Sequence, residues 1–119
     1  MVSSLSSSLT AMNAYGKKLG VAANNIANAD TRGFKKPWVE FQDSSPGGEG
    51  VEAGVEPVSA PGAQFPENTP QGPRLVEQSN VDYGDEMLSL IMAQRGIEAN
   101  ARAVRTQERA LGHLVNLIS

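Results

Sequence analysis

From Asp82 to Ile118 the chain places an apolar residue at every seventh position: Leu90, Ile97, Val104, Leu111 and Ile118. Met87, Ala101 and Val115 fill intervening positions of the same stripe, which Gln94 and Glu108 interrupt. No proline falls within the run. A seven-residue apolar period sustained this far predicts one long helix with a seam that calls for a partner helix. At ~1.5 Å per residue the helix would be on the order of 55 Å long. The fold depends on what covers that seam.

The N-terminal end carries a matching pattern. Leu5, Met12, Leu19 and Ile26 repeat at seven, with Leu9 and Ala23 beside them. This predicts an amphipathic helix from about Ser4 to Ala27. Gly16, Gly20, Ala23 and Ala27 give it a small-residue face. A glycine inside a helix costs ~1 kcal/mol. The face makes sense where another backbone comes close; otherwise the glycines only weaken the helix.

The segment between the helices has a different composition. Asp43 to Gln78 holds half of the twelve glycines and most of the prolines. Pro37 forbids helix continuation, so Phe34–Phe41 reads as a short extended segment, with Trp38 as a packing anchor. Ser44–Gly50 reads as a loop. Its paired glycines lack the Gly-Lys-Ser/Thr of a phosphate loop. Val51–Glu56 alternates like a half-buried strand that Pro57 ends. Pro61–Pro73 reads as an extended linker, and Arg74–Gln78 as a second strand. With aromatics at 5% of the chain, such an insert cannot cover two apolar seams.

Charge and residue types exclude several functions. The net charge is -3: residues 1–42 are basic, 43–79 acidic and 80–119 nearly balanced. That is not the strongly basic face of a nucleic-acid binder. Opposite segments can instead pair between subunits. There is no cysteine and one histidine, His113, so no ligand set for a metal centre is in view. No serine sits in a nucleophile elbow, and Asp85 and Glu86 read as charges at a helix start. We therefore expect no enzyme and no cofactor. No apolar run reaches the ~18–20 residues of a membrane span. The serine-rich start lacks the basic and apolar blocks of a cleavable signal.

Between the first helix and Pro37 lies Asn24-Asn-Ile-Ala-Asn28, followed by Asp30-Thr31-Arg32-Gly33-Phe34. Asn and Asp satisfy freed backbone groups, and Gly33 supplies a left-handed residue, so the helix stops abruptly here. Asn24 and Asn28 share a face and are placed to hold the following segment, or simply to cap. Across the last helix Arg95, Arg102 and Arg109 also repeat at seven, either as a solvated face or as a subunit contact. Glu98 is placed to pair with Arg102, and Glu108 with Arg105.

The first of these segments resembles the N-terminal signature of bacterial flagellar rod and hook axial proteins, Asn-Asn-x-Ala-Asn-x-x-Thr-x-Gly-Phe/Tyr. It is met here by Asn24, Asn25, Asn28, Thr31, Gly33 and Phe34. Glu77-Gln-Ser-Asn-Val-Asp82, Glu86-Met87 and Ala93–Arg102 are similar to the family's C-terminal signature. The resemblance implies a structural rod subunit of the basal body with no catalytic role. It implies a tube whose core is a coiled coil of terminal helices, transmitting torque. It also implies passage through the flagellar export apparatus without signal cleavage, and a periplasmic rod location. The short chain is closest to a small proximal-rod member, whereas the motif wording leans toward distal-rod and hook relatives.

The expected fold is therefore mainly α. Two long terminal helices pair as a coiled-coil-like core around a small irregular or β insert. The segments are 1–33, 34–79 and 80–119. Expected partners are copies of the chain and homologous rod or hook subunits, with no nucleic acid and no membrane. The expected subunit contacts are the two seams (Leu5, Met12, Leu19, Ile26; Leu90, Ile97, Val104, Leu111, Ile118) and the arginine row. A stand-alone coiled-coil adaptor is the competing class; it explains the seams but not the Asn-rich stop.

Overall fold

The structure, a computed structural model, describes residues 2–44 and 49–119. In order, these form α1 (Val2–Ala27), β1 (Pro37–Asp43), β2 (Val51–Pro57), β3 (Gln64–Thr69), β4 (Gly72–Glu77) and α2 (Tyr83–Ile118). The centre of the loop expected at Ser44–Gly50 lies outside the described residues.

Both helix boundaries follow from local chemistry. At the end of α1, Asn28 donates its side-chain N–H to the Asn24 carbonyl at 3.0 Å, and Thr31 Oγ1 donates to Asn28 Oδ1 at 3.2 Å. Gly33 then turns left-handed at φ 70°. Nothing lies within 4 Å of where its Cβ would be, so the conformation, not the space, asks for glycine. At the start of α2, Asp82 Oδ1 accepts the Asp85 N–H at 3.0 Å, as an N-cap does. Asp85 and Glu86 add negative charge to the first turn.

The helices pack side by side, and β1–β2 packs on α1. Among the described residues no strand backbone comes close to that of α2, although Trp38 and Val39 of β1 line a crevice with Glu86 and Ser89 of α2. The sheet is two separate antiparallel hairpins, β1–β2 and β3–β4. The stretch from Pro61 to Pro73, expected as a linker, contains most of the second one. Pro66 and Pro73 are tolerated because each strand of a two-stranded sheet has a free edge. Pro70 holds its φ near -65° and Gln71 is not left-handed, so the turn is neither of the primed types that match strand twist. Gly72, at φ 110°, supplies the positive-φ residue that follows it.

The interior is thin. Its buried apolar residues are Ala14, Ala22, Ala29, Val39, Ala53, Val76 and Ala93, mostly alanines. The main cluster is Ala14, Val39 and Ala53, flanked by Val21, Phe41 and Val51. Strand alternation turns Val39 and Phe41 inward and Trp38 outward, where it is 50% exposed. Trp38 is thus not the packing anchor its size suggested. The molecule is long, 82 × 27 × 16 Å, with a radius of gyration of 21.0 Å. A compact chain of this length would have about 13–14 Å.

The small-residue face of α1 also differs from expectation. Gly16 and Gly20 have nothing within 4 Å of a built Cβ, and Ala23 and Ala27 are exposed. The close approach is at Gly96 of α2, which lies against the Tyr15 ring. Tyr15 meets Phe41 edge-on at 4.9 Å, and Lys18 Nζ lies 5.5 Å from the Phe41 centroid. This stack links α2, α1 and β1.

Candidate assembly surfaces

The Asn-rich turn and the segment before α2, far apart in sequence, meet in one hydrogen-bonded junction. The Gly33 N–H donates to the Glu77 carbonyl at 3.0 Å, and the Asn80 N–H to the Phe34 carbonyl at 3.1 Å. Ser79 Oγ donates to the Ala29 carbonyl. Asn80 Oδ1 accepts the Lys36 N–H at 2.7 Å, while its amide donates to the carbonyls of Val58 and Ala60, each at 3.0 Å. Asn80 therefore fastens three chain segments at once.

The asparagines have separate roles. Asn24 and Asn28 are joined to each other and stay local. Asn25 is 1% exposed and donates to the Pro37 carbonyl at 3.2 Å, so Asn25 holds the following strand. Its Oδ1 is buried without a partner among the described residues. Asn25→Asp would place a carboxylate against the Pro37 carbonyl, with no donor to offer. We expect a loss of about 3 kcal/mol or more, read by urea unfolding. Asn28→Asp, at the half-exposed helix end, should change stability by less than ~1 kcal/mol. Equal losses for the two would contradict this division of roles.

Ion pairs reinforce the junction. Lys36 Nζ lies 3.7 Å from Glu86 Oε1, and both side chains are nearly buried. Arg32 reaches Glu67 of the second hairpin at 2.9 Å. Lys35 pairs with Glu77, and the Gly62 N–H donates to the same carboxylate at 3.0 Å. The Lys35 hydrogen bond and then the Gly62 N–H hold the Glu77 carboxyl below its usual range. Its contribution is therefore present above the unfolded carboxylate value, on the order of pH 4, and is lost as pH falls through the lowered folded value. Glu77→Gln should flatten that part of the acid unfolding curve. An unchanged curve would remove Glu77 from the junction's pH dependence.

The seam residues divide by position along the helices. Leu90, Ile97 and Val104 are half-buried on α2, and Leu5, Met12 and Ile26 are half-buried on α1. Leu19 is 37% exposed, Leu111 38% and Ile118 87%. The companion positions on α2 differ from the predicted ones. Glu86 and Ala93 are buried, and Asn100 and Gln107 half-buried, one residue before Met87, Gln94, Ala101 and Glu108. Met87 is 51% exposed. From residue 108 to 119 every residue of α2 is exposed, including Leu111, Leu114, Val115, Leu117 and Ile118. α2 has 36 residues and α1 has 26, so the seam outruns its partner.

The arginine row faces solvent. Arg95 Nη1 pairs with Glu98 Oε2 at 3.1 Å, which takes Glu98 away from Arg102. Arg102 and Arg109 are exposed, and neither makes an ion pair with a described residue; the expected Glu108–Arg105 pair is also not formed.

Comparison with known proteins bears on both ends of the chain. Residues 5–35 match the family described as flagella basal body rod protein, and residues 74–117 match the flagellar basal body rod FlgEFG protein C-terminal family. The flagellar basal-body rod protein FlgC of Salmonella typhimurium is 32% identical over 112 residues, covering 82% of each chain. The chain belongs to the flagellar basal-body rod protein family. The flagellar hook protein FlgE of Escherichia coli is 45% identical over 42 residues, 35% of this chain. The flagellar basal-body rod protein FlgG of Borreliella burgdorferi is 37% identical over 65 residues. The matches span only 10% of that hook protein and 24% of that FlgG. No helix among the described residues of this rod protein is long and apolar enough to cross a membrane.

The two rod-family matches include the two halves of the junction. Asn24, Asn28, Thr31 and Gly33 end α1, Asn25 fixes β1, and Phe34 supplies a carbonyl to Asn80. Asn80, Ser79 and Lys36 were not singled out, and Glu86 was read only as a charge at the helix start and as part of the signature. Their only sequence signal is polarity inside segments already similar to the family's signatures.

Proposed function

We propose that this chain is a small rod subunit of the proximal type. Its paired terminal helices would join those of neighbouring subunits in a coiled-coil-like inner wall. The hairpin region would form the outside of a tubular, torque-transmitting shaft. The observation that carries this reading is the end of α2, where five large apolar side chains are exposed among the described residues. Exposed contiguous apolar surface of this kind favours association. Copies of the chain and homologous rod subunits are the partners that share the same seam. The relation to FlgC over most of both chains supports the short, proximal form over the longer relatives. Export through the flagellar apparatus, without signal cleavage, and a periplasmic position follow from this reading.

Deleting the gene for this chain should abolish swimming and leave basal bodies with an incomplete rod in electron micrographs. Supplying the chain in trans should restore both. Normal motility in the deletion strain would overturn the assignment.

A further inference from the structure

Two charged surfaces without ion pairs among the described residues belong to different elements and cannot meet within one molecule. On the outward face of β1–β2, Trp38 lies opposite Glu56 and two residues from Glu40. All three are exposed, while Val39, between Trp38 and Glu40, turns into the core. Neither Glu40 nor Glu56 pairs with a described cation. An indole flanked by two carboxylates suits a guanidinium, which stacks on the ring while its N–H groups reach the carboxylates. Arg102 and Arg109 are the matching groups, exposed on α2 without ion pairs to described residues. One heptad separates them, about 10.5 Å along the helix.

Trp38 sits beside Glu86 and Ser89 at the start of α2. Arg102 lies thirteen residues beyond Ser89 and Arg109 twenty, about 20 and 30 Å further along the helix. A single chain therefore cannot close the contact. We propose that Arg102 and Arg109 of one copy dock on the Trp38–Glu40–Glu56 face of a second copy, staggered by about 20–30 Å along the helix axis. Because the two surfaces differ, the contact is head-to-tail and leaves one of each open at the ends, so it continues into a ring or a filament instead of stopping at a dimer. This deepens the rod reading and rests on it, naming which surface of a neighbour receives the arginine row.

The chain has no cysteine and Trp38 is its one tryptophan, which makes the contact directly testable. Gln42→Cys and Thr106→Cys, exposed positions next to the two surfaces, are made in separate full-length chains and mixed. We expect a disulfide between the two variants, at least ~10-fold more abundant than either self-linked species. It should fall with Arg102→Glu/Arg109→Glu or at 0.5 M salt, and return when that variant is mixed with Glu40→Arg/Glu56→Arg. Trp38 emission should shift to the blue on assembly of the parent. Unchanged assembly by the arginine variant overturns the proposal, as does Trp38 emission that stays solvent-like in the assembled protein. A closed dimer in sedimentation overturns the stagger. A parent that never self-associates overturns docking between copies, and restored swimming by that same chain would leave the rod reading standing.

Discussion

Gly96→Val pushes α2 away from α1 and lowers the stability of the isolated chain by about 2–3 kcal/mol. A Cβ at Gly96 would stand 2.5 Å from Cε2 and Cζ of Tyr15. That ring is not free to swing away. It rests edge-on against Phe41 at 4.9 Å, and Phe41 in turn carries Lys18. The clash is therefore passed to β1 or relieved by separating the helices. Gly96→Ala should cost less, because alanine regains about 1 kcal/mol of helix propensity. Gly16→Ala has the opposite sign: nothing is near its Cβ, so the same propensity gain stabilises the isolated chain. Urea unfolding followed by circular dichroism reads all three. A Gly96→Val midpoint equal to that of the parent would mean the Tyr15 contact does not hold the helices together. A loss that shrinks in the Tyr15→Ala background would localise the effect to this pair.

The contrast among the glycines shows what the sequence could and could not convey. Helix boundaries were legible because they are local: Asp82 caps within three residues, and Gly33 marks the stop. The seam was legible as a period, and Leu90, Ile97 and Val104 are half-buried. Its companion positions were legible only in part. Hydropathy favours Met87, which is exposed, and Ala101, which is half-buried, whereas Ala93 is buried and the polar Asn100 and Gln107 are half-buried as well. Trp38 misled through size, since only strand register decides which face a residue takes. The prolines between 61 and 73 misled because their tolerance depends on a free strand edge, a property of the sheet. The junction was half legible. Asn24 and Asn28 share a helix face on paper, but the choice of Asn25 to hold Pro37 depends on where β1 lies. Asn80 gives no local sign that it ties three segments, because its partners are far away in sequence.

Leu111→Asp combined with Val115→Asp should abolish assembly and swimming while moving the unfolding midpoint of the isolated chain little. Both residues are exposed, Leu111 at 38% and Val115 at 58%, so the single chain loses little buried contact. Surface substitutions of this kind usually stay within about 0.5 kcal/mol each. In the assembly the same carboxylates would be buried against apolar neighbours, a cost of several kcal/mol per subunit. Ile97→Asp and Val104→Asp are less selective tests. Both parent residues are half-buried, so a charge there damages the chain's own helix pair as well as any subunit contact. The two double variants, Leu111/Val115 and Ile97/Val104, thus separate folding from assembly. Only the first should leave a stable chain that does not assemble. Should it assemble and restore swimming at the parent's level, the uncovered end of α2 would not be the subunit contact, and the apolar face at Leu88 and Ile91 would be the next surface to charge.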